Sequence, residues 1–194
     1  MSTMPTPTPT PVLELPDTIL GRKVQTDWLW WMKNVGCVLG SPLLWREKHD
    51  ILLLNVFKEI PQDEAGHLQG VLDFYFCGEP AGEDEASPPE RLLDWARDFP
   101  HIWADFRLYA GIDLSATRMH WWAFQALFQS LPSDSWIKTA ISWRGTNLND
   151  ITDAKERARY ARIKRQWALD PVDYEAEYDA AMERRSMNGC SSFG

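Results

Sequence analysis

The chain has 194 residues, of which 44% are hydrophobic, and it carries a formal net charge of −8. This length predicts about one domain with a buried core of real size. The negative charge repels a nucleic-acid backbone at long range and so disfavours a general DNA-binding protein. Eleven tryptophans and eight phenylalanines supply large apolar side chains. We therefore expect an aromatic-rich core.

The N-terminus and the cysteines indicate where the protein works. Thr and Pro alternate from Thr6 to Pro11, and residues 1–11 contain no charged and no apolar region, which predicts a disordered leader and no signal peptide. No apolar run approaches the roughly 18 residues of a membrane span, so we expect no membrane partner. Cys37, Cys77 and Cys190 are odd in number and far apart. This spacing favours reduced thiols in a cytoplasm over a disulfide framework or a zinc site.

The N-terminal third predicts a small hairpin followed by helices. β-branched residues on both sides of Gly21 are typical of a short β-hairpin. Residues 27–40 then place apolar side chains at helical spacing, with Thr26 or Asp27 available as the N-cap. A second helix is predicted to start at Ser41 as its cap, because a proline follows at the first helical position.

Acidic and proline-rich residues separate the first helices from the rest of the chain. A third helix is predicted over residues 62–78. Residues 79–89 hold four carboxylates and three prolines with almost no apolar content, which predicts a solvated loop. The pair Ser87 and Glu90 matches the capping-box signature of the next helix, and Pro100 is predicted to interrupt that helix.

The most apolar helix is predicted over residues 118–132, with Ser115 as its cap. The helix before it should turn Tyr109 towards the core. Trp121 and Trp122 are neighbours on the central helix, about 100° apart, so they can contact two different helices. We favour this core role over an exposed partner groove, since large aromatic patches are rarely left in water. The positions predicted to run along one face are Trp121, Phe124, Phe128 and Leu131.

The C-terminal part predicts three more helices, over residues 133–145, 149–169 and 172–185, before a frayed tail at 186–194. A D-x-x-E capping box begins the second of these at Asp153. The patterns together predict an all-α protein, a compact bundle of about seven to eight helices in one domain over residues 12–185.

The helix that begins near Asp153 is strongly basic. It can contact phosphates, an acidic partner or this chain's own acidic segments, and the negative net charge favours the last two. A solvated surface of paired charges stays open as an alternative. The candidate partner-binding residues are Lys155, Arg157, Arg159, Arg162, Lys164 and Arg165.

The sequence shows no signature of catalysis. It contains no G-x-S-x-G, no Walker-type or G-x-G-x-x-G phosphate loop and no H-E-x-x-H. We therefore expect no enzyme, no cofactor and no metal. Asp94 and Asp98 lie four residues apart on one predicted helix, where they are expected to be solvated instead of binding a cation. The four scattered histidines are best explained as hydrogen-bonded core residues.

Four motifs occur in order along residues 109–169: YAGIDL, MHWWAFQALFQSLP, ISWRG and LNDITDAKERARYARIKRQWAL. Together with the opening LPDTILGRKVQTDW, they make the chain similar to the gp-fifteen-type family of long-tailed bacteriophages of Gram-positive bacteria. The similarity covers most of residues 13–170. The residues that carry it most clearly are His120, Trp121, Trp122, Phe124, Leu127, Trp143 and Arg144.

This resemblance implies a tail assembly chaperone, because the gene of such proteins typically lies between those for the major tail protein and the tape measure protein. It implies both of those proteins as partners, with self-association as a further expectation, and a place in the bacterial host cytoplasm. A structural tail or neck component of the virion is the first alternative. A nucleic-acid-binding regulator that uses the basic helix is the second.

Overall fold

The chain folds as a bundle of helices with a small β-hairpin. A computed structural model describes residues 14–41, 43–79 and 91–169. In these ranges the all-α prediction and the predicted N-terminal hairpin are confirmed. The elements are β1 (Thr18–Ile19), β2 (Arg22–Lys23), α1 (Trp28–Trp31, then π-helical Met32–Gly36, then Cys37–Leu39), α2 (Trp45–Phe57), α3 (Glu64–Tyr75), α4 (Trp95–Asp105, continued by π-helical Phe106–Ala110), α5 (Trp121–Ser130), α6 (Trp136–Arg144), a 3₁₀ turn (Leu148–Asp150) and α7 (Ala154–Trp167).

Several predicted segments lie outside the described residues. These are the leader 1–11, the acidic loop 79–89 beyond its first residue, the helix 172–185 and the tail 186–194. The extent of the single domain, predicted as 12–185, stays a prediction. No helix in the described ranges is both long enough and apolar enough to cross a membrane.

The hairpin packs against α3 at Gly70, where the helix has no side chain. Its turn residues Leu20 and Gly21 both have positive φ, 47° and 76°, as a tight two-residue hairpin turn requires. Ile19 is buried at 4% exposure. A Cβ on Gly70 of α3 would lie 2.5 Å from the Ile19 Cγ2 atom, so a glycine is needed where the strand crosses the helix.

Helix α1 begins as the sequence predicts. The Asp27 side chain accepts hydrogen bonds from the backbone N–H groups of Leu29 and Trp30 at 3.1 and 3.2 Å, which settles the choice between Thr26 and Asp27 as the cap. The π-helical turn that follows contains Gly36, which packs closely against side chains of two other helices.

Helix α2 does not begin at Ser41, so that prediction is wrong. Ser41 closes α1 instead: its hydroxyl donates to the Val38 carbonyl at 2.6 Å. The helix starts after Leu44, whose backbone N–H donates to the Glu47 carboxylate at 3.0 Å. This bond is one half of a capping box, in which the side chain of a glutamate at the third helical position accepts from the backbone N–H of the N-cap residue.

Helix α4 passes through Pro100, so the predicted interruption there is wrong. A proline inside a helix loses one backbone hydrogen bond and costs about 3 kcal/mol. Here the turns beyond the proline bury Ile102 and Phe106 completely, and that burial offsets the cost. Asp94 caps the helix by accepting from two backbone N–H groups at 2.9 Å.

The predicted capping box at Ser87 and Glu90 lies outside the described residues. The inward position predicted for Tyr109 is wrong, since that residue is 45% exposed. It lies in the π-helical end of α4, where the wider turn shifts the register of the following side chains. Gly111, with a φ of 69°, ends the helix in the left-handed conformation that glycine favours.

Aromatic rings fill the core. Phe124 of α5 lies at its centre, stacked on Trp28 and Phe106 with ring centroids 4.8 and 5.1 Å apart. Trp31 of α1 stacks on Phe74 of α3 at 4.5 Å. The rings of four helices therefore form one continuous cluster, and the predicted aromatic-rich core is confirmed.

Candidate functional site

The paired tryptophans of α5 hold the end of α3. The Trp121 indole N–H donates to the Tyr75 carbonyl at 2.8 Å, and the Trp122 indole N–H donates to the Phe74 carbonyl at 2.9 Å. Carbonyls in the last turn of a helix have no partner within the helix. Two consecutive tryptophans thus bond two consecutive carbonyls in the last turn of α3, and the Phe74 carbonyl also accepts from the Cys77 backbone N–H at 3.3 Å.

His120 is the N-cap of α5, and the prediction of Ser115 in that role is wrong. The His120 Nδ1 atom accepts from the Trp122 backbone N–H at 3.0 Å, while Nε2 lies 2.8 Å from the Pro16 carbonyl. This pair of contacts requires a neutral ring with its proton on Nε2. His120 therefore also fixes the segment that precedes the hairpin.

Ser115 binds Asp113 instead. The Asp113 carboxylate accepts from the Ser115 hydroxyl, from the Trp103 indole at 2.9 Å and from the Ser115 backbone N–H at 3.0 Å. These hydrogen bonds lower the pKa of Asp113 to about 2, with a further contribution from the charge of Arg107. The loop between α4 and α5 is organised around this one carboxylate.

Arg144 forms a buried ion pair with Asp98, so the prediction that Asp98 is solvated is wrong. The two guanidinium nitrogens donate to the two carboxylate oxygens at 2.6 and 2.9 Å. Asp98 is 1% exposed and Arg144 is 4% exposed. Arg144 also donates to the carbonyls of Trp167 and Leu92 at 2.7 and 2.9 Å. One side chain of α6 thus joins α4, the chain before α4 and the end of α7.

The other motif residues lie on the same helices without gathering into one cleft. Leu127 is half-buried against the core cluster. Trp143 is half-buried and packs on Tyr160 of α7, with ring centroids 5.4 Å apart. The motif residues on α5 therefore hold the core, while Trp143 and Arg144 hold α7 against the bundle.

A small pocket opens where α4, α6 and α7 meet, which we name the Trp136 pocket. The Trp136 ring is stacked on His101 and lies 4.9 Å from the Trp167 ring, centroid to centroid. The cavity has a volume of about 140 Å³. Its lining residues are Arg97, Asp98, His101, Trp136, Arg144, Gln166 and Trp167.

The six basic residues predicted to bind a partner divide between two faces of α7. Arg157 turns back to the Ile151 carbonyl at 2.7 Å, and the Lys164 ammonium reaches the Thr146 carbonyl at 3.0 Å. The other four are exposed and follow one side of the helix. No carboxylate of the described residues lies within ion-pair distance of any of these four. We name them the cation row: Lys155, Arg159, Arg162 and Arg165.

A protein-family comparison matches residues 46–169 to the family described as Bacteriophage Gp15 protein. The chain belongs to this family. The matched range runs from α2 to α7, so it contains the paired tryptophans, the Arg144 ion pair, the Trp136 pocket and the cation row. No curated protein and no solved structure matched the chain. Membership of the Gp15 family makes this a bacteriophage protein and points to the structure or assembly of the virion.

Two buried carboxylates of this Gp15 protein have hydrogen-bond partners that the sequence patterns did not predict. Asp98 pairs with Arg144, and Asp105 accepts from the Ile137 backbone N–H at 2.9 Å at the start of α6. Both lie in helical register with the buried Ile102. A carboxylate at a core-facing position indicates a buried partner. The helical spacing of both residues from Ile102 could therefore have predicted that each carboxylate is buried and hydrogen-bonded.

The described part of the Gp15 protein contains no group of three His, Cys, Asp or Glu side chains placed to hold a metal ion. Burial raises the pKa of the half-buried Cys77 thiol to about 11. Because the thiolate is the nucleophilic form, this cysteine is held in its unreactive state at neutral pH. What the site offers chemically is hydrogen bonding, charge and an aromatic pocket.

Proposed function

We propose that this Gp15 protein is a non-catalytic tail assembly chaperone. It binds the tape measure protein in the cytoplasm of a Gram-positive host, keeps that protein soluble, and releases it to the major tail protein as the tail tube forms. The family membership supports a role in virion structure or assembly. The cation row is the observation that carries the finer proposal.

The cation row suits a contact that must form and later be released. Its four positive charges extend over about 15 Å of helix, at a rise of 1.5 Å per residue. Like charges one turn apart destabilise a free helix by a few tenths of a kcal/mol, and an acidic partner removes that repulsion. Exposed ion pairs add only about 0–1 kcal/mol each, so the complex is held by several weak contacts.

Co-expression with the tape measure protein of the same phage tests the proposal. We expect a higher soluble yield of tape measure and a complex that survives size-exclusion chromatography, with its stoichiometry from light scattering. If the tape measure protein is equally soluble alone and no complex elutes, the chaperone proposal is wrong.

Charge reversal separates the cation row from general charge effects. The double variant Arg159→Glu/Arg162→Glu should weaken the complex at least about tenfold, because attraction becomes repulsion. The matched control Lys33→Glu/Arg46→Glu changes the net charge equally at two exposed positions on α1 and α2. If both variants weaken the complex equally, the cation row is not the surface that binds the tape measure protein.

The family membership also fits a structural tail or neck component that stays in the virion. Mass spectrometry of purified particles distinguishes this alternative, since a chaperone should be absent and a structural subunit present at a fixed copy number. A closed ring or a helical array of the purified protein would also favour the structural alternative.

A further inference from the structure

The outward face of α7 has the spacing of a surface that packs against another helix. Its exposed residues at i, i+3, i+7 and i+10 are Lys155, Ala158, Arg162 and Arg165. This alternation of three and four residues is the one that keeps a single stripe of a helix against a second helix in a coiled coil. Tyr160, on the opposite side of α7, is half-buried. Three of the four outward positions belong to the cation row, so this stripe is made of cations around one small residue.

The charge on this face has one sign. Glu156 is the carboxylate within α7, and at about 100° per residue it lies about 120° around the helix axis from Arg162. Arg159 adds a fourth cation beside the stripe, and Gln166 adds a neutral amide. A two-fold dimer through this face would place cations against cations, because both copies present the same patch. The face is therefore complementary to an acidic surface of another protein.

The spacing of the cations favours a helical partner over an extended one. The four cations occupy about 15 Å of α7, at a rise of 1.5 Å per residue. A second helix that crosses α7 at about 20° can present four carboxylates along the same length, at alternating spacings of three and four residues. In an extended strand, side chains on one side recur about every 6.6 Å, so it offers about three. Ala158 lies within the stripe, and its small side chain lets the second helix approach closely.

We propose that the cation row binds one α-helix of the partner protein, which carries carboxylates along one face at alternating spacings of three and four residues. The helix lies along α7, with its closest approach at Ala158. Arg165 donates to the Ala161 carbonyl of its own helix at 3.3 Å, and a guanidinium has further donors for a carboxylate. The identity of this partner as the tape measure protein rests on the proposed function, whereas the preference for an acidic helix does not.

Peptide binding to the full-length protein tests this inference. Two synthetic peptides have the same composition and the same helix content by circular dichroism. In the matched peptide the glutamates follow one face at spacings of three and four residues, and in the rearranged peptide they are spread around the helix. Since only the matched peptide presents its carboxylates to the row together, we expect its Kd from fluorescence anisotropy at low ionic strength to be at least about fivefold lower. Equal Kd values would overturn the inference.

Charge reversal locates the binding site of the matched peptide. Arg162→Glu/Arg165→Glu should bring the two Kd values to within about twofold of each other, because two of the cations that face the matched carboxylates become repulsive. The control Lys33→Glu/Arg46→Glu makes the same change in net charge at exposed positions on α1 and α2 and should preserve the preference for the matched peptide. A preference that persists in the first variant would show that another surface binds the peptide, and the inference would be wrong.

Two further outcomes separate this inference from the proposed function. If duplex DNA binds the row as tightly as the matched peptide does, the row recognises negative charge alone and the inference is wrong. If co-expression gives a tape measure complex while both peptides bind equally, the chaperone proposal stands without the helix. A preference for the matched peptide without a tape measure complex would support the acidic helix and contradict the chaperone proposal.

Discussion

At the scale of single residues, Arg144 combines charge, geometry and burial in a way that a lysine cannot reproduce. Its planar fork bonds both oxygens of Asp98 and two backbone carbonyls. Replacing it in Arg144→Met leaves a buried carboxylate without its cation, which costs about 3–5 kcal/mol. We expect urea denaturation to show a loss of this size.

Two variants check the cause of that loss. Arg144→Lys keeps the charge but cannot reach all the acceptors, so it should lie between the wild type and Arg144→Met. Arg46→Met removes an exposed arginine and should change stability by less than about 0.5 kcal/mol. A small effect of Arg144→Met would show that water enters the pocket and solvates Asp98.

Asp113 makes the stability of the folded protein depend on pH in the acidic range. Its folded pKa of about 2 lies below the unfolded value of about 3.9. The stabilisation is therefore complete above about pH 4 and is lost as the pH falls through about 2. Ser115→Ala removes the strongest hydrogen bond to the carboxylate, so NMR titration should show a higher Asp113 pKa and a weaker acid dependence. If the pKa of Asp113 is unchanged in this variant, a group other than the Ser115 hydroxyl causes its low value.

At the scale of elements, Gly36 sets how closely α1 approaches α3 and α4. A Cβ at this position would lie 2.8 Å from the Trp95 indole nitrogen and 3.0 Å from the Tyr75 hydroxyl oxygen. Burial raises the pKa of that phenol to about 12, so it stays a neutral hydrogen-bonding group. The glycine thus lets two polar aromatic groups meet beside the π-helical turn.

Gly36→Ala should destabilise the protein by about 1–2 kcal/mol, because the overpacking of rigid rings outweighs the gain in helix propensity. Gly40→Ala is the matched control: it lies at the end of the same helix, and its Cβ would make only an ordinary 3.4 Å contact. Thermal denaturation of both variants compares them directly. Equal melting temperatures would mean that α1 shifts at little cost.

The elements also show what local sequence could and could not predict. The cap at Asp153 was predicted correctly, and Asp27 was one of the two residues predicted for α1, because a capping carboxylate acts on backbone groups two or three residues away. Pro100 was misread because burial of residues beyond it overrides its local preference. The Asp98 and Arg144 pair joins positions 46 residues apart, and no local pattern encodes such a contact.

At the scale of the whole molecule, α7 is attached differently from the other long helices. It buries none of its residues fully, whereas α5 places Trp121, Phe124 and Phe128 in the core. In the described ranges its contacts with the bundle include the packing of Trp143 on Tyr160, the ring contact of Trp167 with Trp136, the Arg144 hydrogen bond to the Trp167 carbonyl, and the Lys164 hydrogen bond to the Thr146 carbonyl. An element with little buried apolar area should open before the core does.

Native-state hydrogen exchange should therefore show the amides of α7 opening at a lower free energy than those of α5, with a small dependence on denaturant. Arg144→Met should lower the α7 value by more than it lowers the value of α5, since it frees the Trp167 carbonyl as well as Asp98. If the amides of α7 and α5 exchange through one unfolding event with the same free energy, α7 belongs to the cooperative core. If α7 opens separately, a partner bound to the cation row can be released by local opening of this helix, while the aromatic core stays folded.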